Sequence, residues 1–107
     1  PVPHCIKNTP GWQIDPSLDT ANATLLDKPS FGSLALAEWV KQHYSQVQEI
    51  ELIGLCTDIC VLSNAVILKA AFPEVTISVD SSACAGVTPA SHRNALEAMK
   101  MCQIQVQ

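Results

Sequence analysis

Two side chains stand where they could do covalent chemistry: the thiol of Cys60 and the amine of Lys28. Cys60 lies in residues 55–61 (LCTDICV), directly after the apolar run at 50–55 (IELIGL). A buried strand turning sharply into a helix, with Thr57 as N-cap, makes Cys60 the third helical residue. Its thiol then sits beside unpaired backbone N–H groups and the positive end of the helix dipole. That setting favours the thiolate, which is the nucleophilic form. Backbone N–H groups of the same turn can hold an oxyanion. The arrangement has the geometry of a nucleophile elbow with Cys in place of Ser. The same spacing also fits a packed, inert thiol on a buried helix, a common fate of free Cys.

Lys28 ends the short apolar run 23–27 (ATLLD), and Pro29 disfavours helix there. A strand ending at Lys28 would project the amine from the same sheet edge as Cys60, where a cation can lower a thiol's pKa or steady developing negative charge. Taken alone, a solvated turn lysine is the simpler reading. Asp80 is read as capping the loop at Ser81 and Ser82. His4, in the opening loop, is weak evidence for a metal by itself. His43 and His92 read as surface residues on helices, Trp12 as a loop anchor, and Trp39 as core or interface.

The elements that must position these groups follow from pattern. Residues 1–22, rich in Pro, with Asn8, Thr9 and Gly11, read as an ordered loop. Ser33 caps a helix to about Tyr44, its apolar positions at i, i+3 and i+4 spacing. A strand over 50–55 is followed by a helix over 58–71, stopped by Phe72-Pro73. A strand over 75–79 (VTISV) is followed by a small-residue loop at 80–87. Thr88-Pro89 starts a helix to about Met101, with Pro at N1. A last short strand covers 103–106. Strands alternating with helices give an α/β protein with a parallel sheet and right-handed crossovers. Ligands bind beyond the carboxyl ends of such strands.

Composition narrows the function classes. The chain has 107 residues, which allows one domain. Six Lys and Arg against ten Asp and Glu give a net charge of -4, which argues against a nucleic-acid binder. Charged residues are 15% and hydrophobic residues 48%, a balance suited to extensive burial rather than disorder. No apolar run reaches the 18 or so residues of a membrane span. Five Cys, at 5, 56, 60, 84 and 102, form no Cys-x-x-Cys pair and no zinc framework. With no signal peptide to suggest export, a cytoplasmic location with reduced thiols is the simpler expectation.

Three segments in order resemble one family. GLCTDICVLSNA (54–65) is similar to the nucleophile segment of the isochorismatase-like cysteine hydrolases, which in nicotinamidases reads G-x-x-T-D-x-C-V. PHCIKNTPGWQI (3–14) resembles the nicotinamidase segment P-H-C-x-x-G-T-P-G, whose His binds a metal. LLDKPSFGS (25–33) resembles the segment carrying the family's catalytic Lys. VDSSACAGVTPASHRNAL (79–96) matches the strand, loop and helix that follow.

The resemblance implies a three-layer sheet with helices on both faces and strand order 3-2-1-4-5-6. The strands near Leu25, Leu52, Ile77 and Ile104 would be the third to sixth. Residues 1–107 would then be a partial domain lacking the first two strands. It implies Cys60 as nucleophile, Lys28 as catalytic lysine, and the N–H groups of Cys56 and Cys60 as the oxyanion hole after a cis Leu55–Cys56 peptide. It further implies Phe31 near the substrate and His4 as a ligand of a divalent metal, zinc or iron. The implied activity is hydrolysis of a small, nicotinamide-like carboxamide through a thioester on Cys60. The implied partners are that amide, an N-terminal segment of the same protein, and further copies of the chain.

Some family positions differ or lie outside the sequence. The family's catalytic Asp and the other metal ligands would precede Pro1, so the isolated chain is expected to be inactive. Pro1 itself falls where an aromatic often stacks on nicotinamide, and Cys56 stands where many members have Ala. The alternative is a non-catalytic chain of the same fold that acts by association. In the complete protein, Cys60 is expected to be the one thiol of the five that reacts strongly at neutral pH. Limited alkylation with peptide mapping checks this, and preferential labelling of Cys5 or Cys102 would contradict it.

Overall fold

A computed structural model describes residues 2–107, whose order is α1 (Leu34–His43), β1 (Glu49–Leu55), a π-helical turn (Thr57–Val61), α2 (Leu62–Ala71), β2 (Thr76–Ala85), α3 (Pro89–Met101) and β3 (Gln105–Val106). The strands form one parallel sheet in the order β1-β2-β3. Parallel neighbours require a crossover between them, and α2 and α3 supply it. α2 packs against β2, α1 and α3, so the helices form a layer over the strands. Between layer and sheet lie the fully buried Leu68 of α2, Ile77 and Val79 of β2, and Met99 of α3, with Ile104 just before β3. The described residues build this sheet-and-helix portion of the expected three-layer architecture.

Local chemistry sets the element ends. Ser33 caps α1, its hydroxyl accepting from the Leu36 N–H at 3.1 Å. Lys41 and His43 occupy the last turn, where positive charge suits the dipole. Trp39 is half-buried and stacks on His43 with ring centroids 4.3 Å apart, so it serves this helix end rather than the core. At α3 a capping box forms: the Thr88 hydroxyl accepts from the Ser91 N–H, and the Ser91 hydroxyl accepts from the Thr88 N–H, both at 3.0 Å. Pro89 follows at the first helical position, as expected.

Two expectations are corrected. Residues 23–27 form no strand; Leu25 and Leu26 are exposed, because a strand exists only through a ladder partner and none stands beside them among the described residues. β2 continues past Val79 to Ala85, where a loop was expected. Its pairing with β1 breaks between Leu52 and Gly54, then resumes as Gly54↔Cys84 and Leu55↔Ala85. Gly54, at φ +123°, a conformation favouring glycine, stands where pairing resumes, and the extra residues of the break, 80–83, lie on β2 opposite Ile53 alone. Asp80 accepts from the Ser82 N–H at 3.0 Å and its hydroxyl at 2.6 Å, the local bonding expected of it, though inside β2 and not in a loop.

β1 pairs with β2 along one edge, and its other edge has no strand partner among the described residues. Ile53 and Leu55 are 62% and 70% exposed beside it. An unpaired apolar edge templates association. Residues 1–107 expressed alone are therefore expected to self-associate and to lack a cooperative monomeric melt. Sedimentation and calorimetry check this; a monomer with a sharp two-state transition would contradict it.

Candidate active site

The strand-to-helix junction after β1 carries the thiol. The Leu55–Cys56 peptide is cis. Cys56, extended at φ -93° and ψ 145°, is the N-cap, so Thr57 opens the helical run and Cys60 is its fourth residue, one later than expected. The Cys56 carbonyl accepts from the N–H groups of both Ile59 and Val61 at 3.1 Å; the second is a π-helical bond. Widened turns of this kind recur at functional sites. The turn keeps Cys60 in the first turn at the carboxyl end of β1, with a half-buried side chain.

Lys28 reaches this thiol from a segment with no regular structure. Its Nζ lies 3.5 Å from Cys60 Sγ and 3.3 Å from the Ser30 carbonyl. A bond across 32 residues is a tertiary contact, not a turn lysine's local habit. An ammonium there favours negative charge on sulfur. Lys28 also stands between two clefts. One, of about 430 Å³, contains Cys60 and runs along β1 beneath Leu36 and Val40. The other, of about 690 Å³, lies among the loops, with Cys5, Trp12 and Leu25 on its walls.

Asn64, one helical turn after Cys60, joins the two segments. Its Oδ1 accepts from the Ser33 N–H at 2.8 Å, while its Nδ2 donates to the Phe31 carbonyl at 3.2 Å and the Cys60 carbonyl at 3.0 Å. The residue is buried. Gly32 packs closely beside it: a Cβ there would lie 2.6 Å from Ile67 Cδ1 and 3.3 Å from Ser63 Cβ, so the end of Ile67 would have to shift. Nothing in the reading of the sequence singles out Asn64. Its place four residues after the candidate nucleophile was the available signal.

A second group of polar side chains ties the thiol turn to α3. Thr57 is fully buried and its hydroxyl lies 2.8 Å from His92 Nδ1, so His92 is not the free surface residue expected. Asp58 accepts from the Val87 N–H at 3.2 Å. The Ser91 hydroxyl, aided by the Val87 N–H and the nearby His92, holds its carboxyl below the usual value against a smaller opposing effect of burial.

The remaining expected residues are less convergent. The Phe31 ring is exposed, and its contribution is the carbonyl held by Asn64. His4 is exposed, with Nδ1 2.8 Å from the Val2 carbonyl. No group of three His, Cys, Asp or Glu side chains suited to a metal occurs among the described residues. His4 could supply one ligand, but a zinc site takes three or four protein ligands. The described residues do not make a metal site by themselves. Pro1 lies outside the described residues. No helix among them is long and apolar enough to cross a membrane.

Comparison with known proteins bears on this geometry. Residues 1–107 match the model of the Isochorismatase domain. The nicotinamidase/pyrazinamidase of Mycobacterium tuberculosis is 27% identical over 119 residues, covering 97% of this chain and 61% of that protein. The crystal structure of nicotinamidase/pyrazinamidase from Bacillus subtilis superimposes with a TM-score of 0.82 at 29% identity, over 98% of this chain and 62% of that one. Pyrazinamidase of Pyrococcus horikoshii, solved in complex with zinc, gives a TM-score of 0.74 at 26% identity, over 98% and 61%. The chain thus spans less than two thirds of the length of these relatives.

The Asp58 contacts carry a pH signature. A carboxyl held below its unfolded value contributes stability above that value, roughly pH 4, and loses it as pH falls through the folded one. Asp58→Asn is therefore expected to lower the melting temperature at pH 7, by a margin that shrinks as pH falls below about 4. Melting curves across that range check it; an equal offset at both ends would contradict it.

Proposed function

The chain belongs to the isochorismatase family, and on that premise we propose that it forms the nucleophile-bearing part of a cysteine amidohydrolase acting on a small, nicotinamide-like carboxamide. The observation that carries this reading is Lys28 Nζ at 3.5 Å from Cys60 Sγ, at the carboxyl end of β1. The relatives named nicotinamidase and pyrazinamidase support the substrate class.

In this reading the Cys60 thiolate attacks the carboxamide carbon and the carbonyl electrons move to oxygen. The N–H groups of Cys56 and Cys60 receive that oxyanion, and Lys28 steadies the negative charge. The C–N bond breaks as nitrogen takes up a proton, releasing ammonia and leaving the acyl group on sulfur. Water then attacks the thioester, giving the acid and returning the thiol. The resemblance assigns the proton relay to an Asp outside these 107 residues, and the isolated chain is accordingly proposed to be inactive. The proposal includes a divalent metal, with His4 as one ligand, in keeping with the zinc complex of the Pyrococcus relative. A cytoplasmic location and self-association belong to the same proposal. The free state of all five Cys supports the first, and the unpaired edge of β1 is where the strand order 3-2-1-4-5-6 would seat the N-terminal segment.

The reading that the chain is a non-catalytic associating partner draws on that same edge, and kinetics separate the two. In the complete protein, Lys28→Ala is expected to lower kcat by about a hundredfold or more with little change in melting temperature, because its charge acts on the transition state. Cys60→Ala is expected to abolish release of ammonia from nicotinamide. Near-normal turnover in Lys28→Ala would return the lysine to a turn residue. An inactive parent protein would favour the associating role.

A further inference from the structure

We propose that Asn64 is a positioning residue that holds the Lys28 segment against the nucleophile turn and so sets the distance between the Lys28 amine and the Cys60 thiol. The proposal rests on the amidohydrolase reading for its kinetic consequence and on geometry alone for the rest.

Residues 28–32 belong to no helix or strand, and all but Gly32 are exposed. Apart from the Lys28–Cys60 contact itself, their side-chain hydrogen bonds are local: Lys28 Nζ donates to the Ser30 carbonyl, and the Ser30 hydroxyl to the Gly32 carbonyl at 2.8 Å. Such bonds shape a segment without fixing where it lies. The Asn64 amide holds it from outside, gripping the Phe31 carbonyl on one side of Gly32 and the Ser33 N–H on the other. The same Nδ2 also donates to the carbonyl of Cys60. One planar group thus touches the backbone of the thiol residue and the backbone three and five residues beyond the lysine.

The energetics favour a specific role over a generic one. A buried amide costs free energy unless its donors and acceptor are met. Here the oxygen and the nitrogen are both engaged, by partners on two separate segments. Helix stability does not need this residue, since Leu or Ala at an interior helical position has better propensity. What Asn adds is a matched donor and acceptor facing a bare backbone. Gly32 eases the approach, because a side chain there would press on Ile67 and Ser63. Ser33 completes it, presenting its N–H to Asn64 while its hydroxyl caps α1.

The test reads local charge at sulfur. In the complete protein, Cys60 is labelled at pH 7 with neutral iodoacetamide and anionic iodoacetate, and the two rates are compared by peptide mass. A lysine held at the thiol favours the anionic reagent, so Lys28→Met should lower the iodoacetate-to-iodoacetamide ratio several-fold. Asn64→Leu should lower it by a similar factor, and the double variant should fall no further than Lys28→Met alone. Turnover should follow, with kcat reduced about tenfold in Asn64→Leu and KM nearly constant. Asn64→Ala, read beside a thermal melt, replaces Asn64→Leu if that variant does not fold. A folded Asn64 variant with the parental ratio overturns the proposal, as does a double variant whose loss is the product of the single losses. A parent without amidase activity, but with the expected ratios, refutes the amidohydrolase reading and leaves the positioning role standing.

Discussion

Parallel pairing of β1 on β2 is the constraint from which the other features follow. Two parallel neighbours cannot be joined by a tight turn, so a helix must carry the chain back. That helix begins where β1 ends, and its first turn faces the carboxyl edge of the sheet. A nucleophile placed there gains orphan backbone N–H groups without distorting the core. The core needs only the far side of α2: Ala65 and Leu68 face Ile77 and Val79, while Cys60 stays half-buried at the rim. Packing and chemistry thus use different faces of one helical run: Val61, Ala65 and Leu68 belong to the core, Cys60 to the rim.

The rim is held by polar contacts rather than apolar ones. Thr57 with His92, and Asp58 with Val87, bind the thiol turn to the start of α3. Asn64 binds it to the segment before α1. These contacts approach from different sides, and each is directional where apolar packing is not. A turn fixed in this way keeps its orientation even where the surrounding surface is open, as it is beside β1.

Much of this was legible in the residues. Thr88-Pro89, Ser33 and Phe72-Pro73 are chemical punctuation, and the ends of α3, α1 and α2 fall where they indicate. The site's two reactive groups were also readable, because Cys60 follows an apolar run and Lys28 precedes a proline. Contacts that depend on distance in space were not readable. Nothing at His92 announces that it will meet Thr57 across 35 residues, and Asn64 looks like a blemish on an apolar helix. Residues 23–27 show the opposite failure. Their composition suits a strand, but a ladder is a property of two segments, and the pattern of one cannot supply the other. The widened turn at Thr57–Val61 moved the cap one residue earlier, to Cys56, which the residue types do not announce.

The Asn64 clasp has a consequence for how this chain tolerates change in length. Its two anchor points, the backbone at Phe31 and Ser33 and the backbone at Cys60, enclose α1, the connection at 44–48 and all of β1. The connection lies at the amino end of β1, the opposite edge of the sheet from the thiol. Residues inserted there lengthen the path between lysine and cysteine without altering the span the amide closes. Lineages can therefore drift in loop length at that turn while the reactive pair stays in register. A single added residue between Lys28 and Ser33, or between Cys60 and Asn64, would instead shift the lysine relative to the thiol at once.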